Sequence, residues 1–117
     1  MTGRTKSTRQ EQRRYPRYSV DARLVAHVFQ DGALSSAWGR IHEMGEDGLS
    51  ATLTGELSAG DVISLEFCLP LSTMTIKVRA LVRYRDGFRY GFEFLTLTPE
   101  QRHEVRHALQ VLPVSQK

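Results

Sequence analysis

From Ser19 onward, apolar and polar residues alternate with a period close to two, the signature of strands with one buried face. Leu24, Ala26 and Val28 alternate with Arg23, Val25 and His27 in the first such run. A short second strand is expected from near Ala37 to Ile41. Leu49, Ala51 and Leu53 alternate with Ser50, Thr52 and Thr54 in a third. Ile63, Leu65, Phe67 and Leu69 give a fourth, opened by the turn signal Ala59-Gly60-Asp61. Met74, Ile76, Val78, Ala80, Val82 and Tyr84 share one face of a fifth, with Lys77, Arg79, Arg83 and Arg85 on the other.

Asp86-Gly87 separates that run from Phe88, Tyr90, Phe92 and Phe94, which alternate with Arg89, Gly91 and Glu93. Asp-Gly between two alternating runs predicts a hairpin, with positive φ at both central residues. The period then changes. Thr98 suits an N-cap, Pro99 the first helical position, and Gln101 completes a capping box. Val105, Ala108, Leu109 and Leu112 form an apolar face, and Pro113 ends the helix. Short strands at regular spacing predict a closed or nearly closed β-barrel. The amphipathic helix would cover an opening or an exposed edge. Trp38 and the Phe88–Phe94 stripe are assigned to the core.

With 117 residues and a 40% hydrophobic fraction, the chain has material for one small core. No apolar run is long enough to span a bilayer. The N-terminus lacks a signal-peptide core, and Cys68 is the lone cysteine, so the expected location is cytoplasmic, without membrane insertion. Charge is distributed unevenly. Residues 1–17 hold six Lys/Arg against Glu11 alone, a net +5, whereas residues 18–117 hold ten against twelve acidic residues, a net −2. The basic character belongs to the arm and suits an anionic partner.

Two segments stand apart from the barrel pattern. Arg13-Arg14-Tyr15-Pro16-Arg17 precedes the first strand, and Glu43-Met44-Gly45-Glu46-Asp47-Gly48-Leu49 forms the turn between the second and third. His103-Glu104-Val105-Arg106-His107 also fits the zinc-peptidase pattern H-E-x-x-H. The ten residues after His107 include no His, Asp, Glu or Cys to serve as a third ligand. Both histidines are therefore assigned to the solvated face of the helix, and no metal is expected. No serine, cysteine or carboxylate pair is placed for catalysis.

With its RxxxR segment before the first strand and its 43–48 turn, the chain resembles the PilZ family over roughly residues 11–112. That family carries a D/N-x-S-x-x-G motif between its second and third strands. The likeness extends to Leu57-Ser58-Ala59-Gly60-Asp61, to Tyr90-Gly91-Phe92-Glu93-Phe94 and to the closing helix. It implies an all-β fold, a six-stranded antiparallel barrel with a C-terminal α-helix. The expected organisation is a flexible basic arm over 1–12, the barrel and helix over 13–112, and a tail over 113–117. It also implies a non-catalytic receptor for the bacterial second messenger cyclic di-GMP, with no cofactor.

Arg13, Arg14 and Arg17 would meet guanine N7 and O6 and the phosphates, while Glu43, Gly45 and Gly48 would form the other side. The second motif departs from the family pattern twice, with Glu43 where Asp or Asn is expected and Gly45 where Ser is expected. One lost hydrogen bond costs roughly 0.5–1.5 kcal/mol. A degenerate adaptor that binds a protein partner and no nucleotide is the alternative reading. A nucleic-acid-binding barrel ranks third, because the body of the chain is acidic.

Overall fold

The computed structural model describes residues 15–114. Six strands, all paired antiparallel, close into a barrel in the order β1-β2-β3-β6-β5-β4. They are β1 (Tyr18–Gln30), β2 (Ala33–Gly45), β3 (Gly48–Leu53), β4 (Val62–Cys68), β5 (Thr75–Asp86) and β6 (Arg89–Phe94). The single helix of the described residues spans Pro99–Leu109. Its N-terminus forms as the sequence predicts: Thr98 Oγ1 accepts from the Gln101 N–H, and the Gln101 side chain accepts from the Thr98 N–H.

Alternation sorts the barrel into a packed interior and a polar exterior. Leu24, Ala26, Leu49, Ala51, Leu53, Leu65, Val82, Tyr90 and Phe92 are all essentially inaccessible. Val105, Ala108 and Leu109 of the helix join the same core. A six-stranded barrel has no room for more than its own side chains, so the interior offers no ligand cavity. Tyr90 keeps its hydroxyl satisfied at one end of the barrel, donating to Gly55 O and accepting from Leu57 N–H.

The structure corrects the sequence reading in four places. First, β2 starts at Ala33 rather than near Ala37, because Asp31-Gly32 makes a two-residue hairpin with φ of 52° and 76°. Positive φ at both central residues is the type I′ signature. β1 and β2 pair along this hairpin to Gln30 and Ala33, while β1 meets β4 only from Leu24 to His27. The hairpin tip therefore projects past the barrel.

Second, Trp38 lies outside, 60% exposed, because the inward position of that stretch belongs to Ala37. Phe88 is likewise exposed. It sits in the β5–β6 turn, where Asp86 pairs with Arg89 and the central residues are Gly87-Phe88. Gly87 alone has positive φ there, the type II′ pattern.

Third, a bulge between Val82 and Tyr84 resets the alternation of β5. Tyr84 pairs with Gly91 on the outer face, and Arg85 instead lies over the ring of buried Tyr90, 5.6 Å from its centroid. Arg79, Arg83 and Arg85 therefore do not share one face. Fourth, the helix ends at Leu109, and Leu112 packs against the core from the turn beyond it.

A cleft on the outer face of the barrel

The arm enters the fold at the start of β1, beside the turn that joins β2 to β3. Ser19 pairs with Glu43, and the Ser19 N–H donates to Pro113 O at 2.8 Å, tying the entry of β1 to the chain after the helix. A bulge between Ile41 and Glu43 keeps both Ile41 and Met44 in the core and leaves His42 and Glu43 on the outer face. Glu43 then continues a row of register partners across four strands: Glu43, Ser50, Gly91 and Tyr84.

This row crosses a cleft of about 400 Å³. Arg17, Glu43, Asp47, Arg83, Tyr84 and Glu93 are among its walls, with Ser50, Gly91 and Phe92 in its lining. Arg17 is largely buried, and its guanidinium comes within 3.8 Å of Asp47 Oδ1. Arg83 donates to Glu93 at 2.8 Å. Glu46, the other turn residue, accepts from Arg106 of the helix at 2.8 Å, and that contact raises the Arg106 pKa above its ordinary value. Helix, turn and arm thus meet at one side of the cleft.

Glycine shapes two of these contacts. A Cβ at Gly91 would run into the ring of Tyr84, so the tyrosine lies against the bare backbone of β6. A Cβ at Gly48 would meet the carbonyl of Phe92, so Gly48 allows β3 and β6 to approach closely. Gly45 ends β2 beneath the arm, where an added Cβ would stand 2.9 Å from Pro16 O.

Of the six residues singled out from sequence, Arg17 and Glu43 line the cleft, while Gly45 packs under Arg17 and Gly48 against Phe92, both lining residues. Arg13 and Arg14 lie outside the described residues. Glu43 and Gly45 are strand residues rather than parts of the turn, which is Glu46-Asp47. Sequence reasoning missed Ser50, Tyr84 and Glu93 as neighbours of this site; Asp47 belongs to the turn it singled out, and Arg83 to a charged strand face it named. The charged residues of a half-solvated strand carry no mark that separates them from any other outer face.

Elsewhere, Glu104 of the H-E-x-x-H segment accepts from Ser72 Oγ at 3.0 Å, anchoring the helix to the loop after β4. No group of three His, Cys, Asp or Glu suited to a metal occurs among the described residues. His27 bridges Ser36 Oγ at 2.9 Å and Glu66 at 3.0 Å, but on an exposed strand surface with Ser36 on the projecting hairpin. No helix of the described residues is long and apolar enough to cross a membrane.

No curated relative is found by sequence. Among solved structures, the fold is similar to the PilZ domain of Escherichia coli YcgR, solved with c-di-GMP, at 19% identity and a TM-score of 0.65. That match covers 86% of this chain and 91% of the other. It is also similar to the Bacillus subtilis inhibitor of motility MotI/DgrA, at 19% identity and a TM-score of 0.66, over 92% of this chain and 54% of the other. A third likeness is to the PilZ domain of CeSA from a cellulose-synthesizing bacterium, at 14% identity and a TM-score of 0.61, over 80% of this chain and 94% of the other. The model of the PilZ domain matches residues 11–110, and the chain belongs to the PilZ domain family.

Proposed function

We propose that the chain is a non-catalytic, cytoplasmic receptor domain for cyclic di-GMP, which binds in the outer-face cleft between the arm and β2–β3. The observation that carries this reading is the convergence of Arg17 with Glu43 and Ser50 in one cleft beside the point where the basic arm enters the fold. Guanine presents N7 and O6 as acceptors to an arginine fork, and its N1–H and amino group as donors to a carboxylate. Arg17 supplies the first kind of group and Glu43 the second.

The described lining holds two arginines against three carboxylates, Glu43, Asp47 and Glu93. A ligand with two phosphates needs more positive charge than that. Arg13 and Arg14 of the arm supply it in this proposal. Gly45 and Gly48 let the arm and β6 pack closely beside the cleft. Engagement of the arm by the nucleotide would then change the surface shown to a partner protein.

A second reading is favoured by one observation. Phe29 and Leu34, register partners near the tip of the projecting hairpin, are 73% and 66% exposed. An exposed apolar pair on a protruding hairpin suits a protein adaptor that takes no nucleotide. Calorimetric titration with cyclic di-GMP, beside GTP and a short single-stranded oligonucleotide, separates these readings. Saturable binding of cyclic di-GMP alone supports the receptor. Heat from the oligonucleotide alone points to nucleic acid, and silence with all three leaves the adaptor.

A further inference from the structure

Ser50 is the least explained member of the outer-face row. It is only 4% exposed, and its Oγ has no hydrogen-bond partner among the described residues. Burying a hydroxyl without a partner works against folding, and such groups are rare enough to need a reason. The next outer position of the same strand shows the usual solution: Thr52 Oγ1 is hydrogen-bonded to His42 Nε2 at 2.6 Å. At Ser50, alanine would fill the same backbone site with no such cost. Yet the hydroxyl lines the cleft, directly across the β2–β3 ladder from Glu43.

The geometry points to a role for this pair. We propose that Ser50 Oγ and the Glu43 carboxylate together read the guanine edge, the hydroxyl accepting from the amino group. This rests on the cyclic di-GMP reading above. A carboxylate accepts from N1–H and one amino hydrogen of guanine. The second amino hydrogen points away from it and needs another acceptor. A hydroxyl beside the carboxylate provides one, and the same contact gives the buried oxygen of Ser50 the partner it lacks. The β3–β6 ladder fixes the backbone at Ser50, so only the side chains that cover its oxygen have to shift when the ligand arrives.

The test compares wild type with Ser50→Ala, titrated with cyclic di-GMP and with its hypoxanthine analogue cyclic di-IMP, which lacks the amino group. Thermal unfolding of both apo proteins runs alongside. Ser50→Ala is expected to weaken cyclic di-GMP about fivefold to tenfold, the scale of one hydrogen bond. It should change the affinity for cyclic di-IMP less than about twofold. Its apo melting temperature should equal or exceed that of wild type, because an unsatisfied buried group has been removed.

A merely structural serine gives the reverse: lower stability and equal losses for both ligands. Unchanged affinity in Ser50→Ala, or equal losses for the two ligands, overturns the proposal while wild-type binding of cyclic di-GMP still stands. A wild-type chain that fails to bind cyclic di-GMP overturns both.

Discussion

Gly45 marks the place where restoring the family's serine meets a physical obstacle. Its φ is not in the positive range, so a side chain brings no backbone strain. Space is the difficulty. An added Cβ would stand 2.9 Å from Pro16 O, 3.3 Å from Arg17 Cδ and 3.5 Å from Arg17 Nε. Attractive contact begins near 3.5 Å, so the carbonyl of Pro16 must recede by about half an ångström.

Pro16 precedes β1 and is outside the strand ladder, so the arm can lift without disturbing the core. Overpacking in a core costs typically 1–3 kcal/mol, and a yielding neighbour puts Gly45→Ala near the low end, about 1 kcal/mol. Lifting the arm also moves Arg17, so Gly45→Ala is expected to weaken cyclic di-GMP several-fold. Gly45→Ser suffers the same displacement but adds a hydroxyl worth roughly 0.5–1.5 kcal/mol, so it should bind more tightly than Gly45→Ala by up to about tenfold. Urea denaturation and calorimetry read the two effects separately. Wild-type stability and affinity in Gly45→Ala would refute the packing of the arm on this glycine. Equal affinities for the alanine and serine variants would refute any reach of a hydroxyl at 45 to the ligand.

Arg17→Ala should weaken cyclic di-GMP about tenfold to a hundredfold, since a charge-assisted hydrogen bond is worth roughly 1.5–3 kcal/mol. Its far-UV circular dichroism should be unchanged because Arg17 precedes β1; wild-type affinity would remove Arg17 from the site. Gly91→Ala should destabilise the fold by about 1–3 kcal/mol by driving a methyl into the ring of Tyr84. In a Tyr84→Ala background that cost should largely vanish, and additive losses in urea denaturation would show the ring is not the obstacle.

Burial, then the charge of Arg89, lowers the pKa of His42 below its ordinary 6.5. The unfolded chain therefore binds the proton more readily. Stability from this group is full above pH 6.5 and declines as pH falls through the lower folded value. His42→Gln should flatten that decline in denaturation series run between neutral and mildly acidic pH; an identical slope would exclude His42 as its source.

The fold was legible wherever one strand face was consistently apolar. Ile63, Leu65 and Phe67, or Tyr90, Phe92 and Phe94, announce both strand and orientation because burial leaves no other arrangement. The capping box was equally clear, since its hydrogen bonds are local. The long β1–β2 hairpin was not. Leu34, Ser35 and Ser36 are all exposed, so nothing in that stretch alternates, and only the Asp31-Gly32 turn betrays it. At the cleft, the arm's Arg17 and the carboxylate of Glu43 could be picked out as motif residues. Ser50 could not, because an outward serine between Leu49 and Ala51 reads as ordinary alternation. It shares its cleft with Arg17, Asp47 and Tyr84, which come together only through the closed barrel.

The bulges explain how a small barrel acquires a site without giving up core. A regular strand offers one outward residue for each inward one, and a bulge adds a residue to one strand against the same partner. In β2, Ile41 and Met44 both stay buried while His42 and Glu43 lie between them on the outer face. In β5, Arg83 and Tyr84 are the outer pair, between buried Val82 and Arg85, which packs over Tyr90. Each bulge therefore adds an outward side chain at no loss of an inward one, and the two stand on opposite sides of the narrow pair β3–β6. The strands between them contribute the small residues Ser50 and Gly91, and the Tyr84 ring lies over the bare backbone of Gly91. A concavity on the convex outside of a barrel follows from that arrangement: bulky residues on the flanks, small ones in the middle. Substitutions in the row Glu43–Ser50–Gly91–Tyr84 can thus reshape the cleft while the interior residues of the same four strands keep the fold.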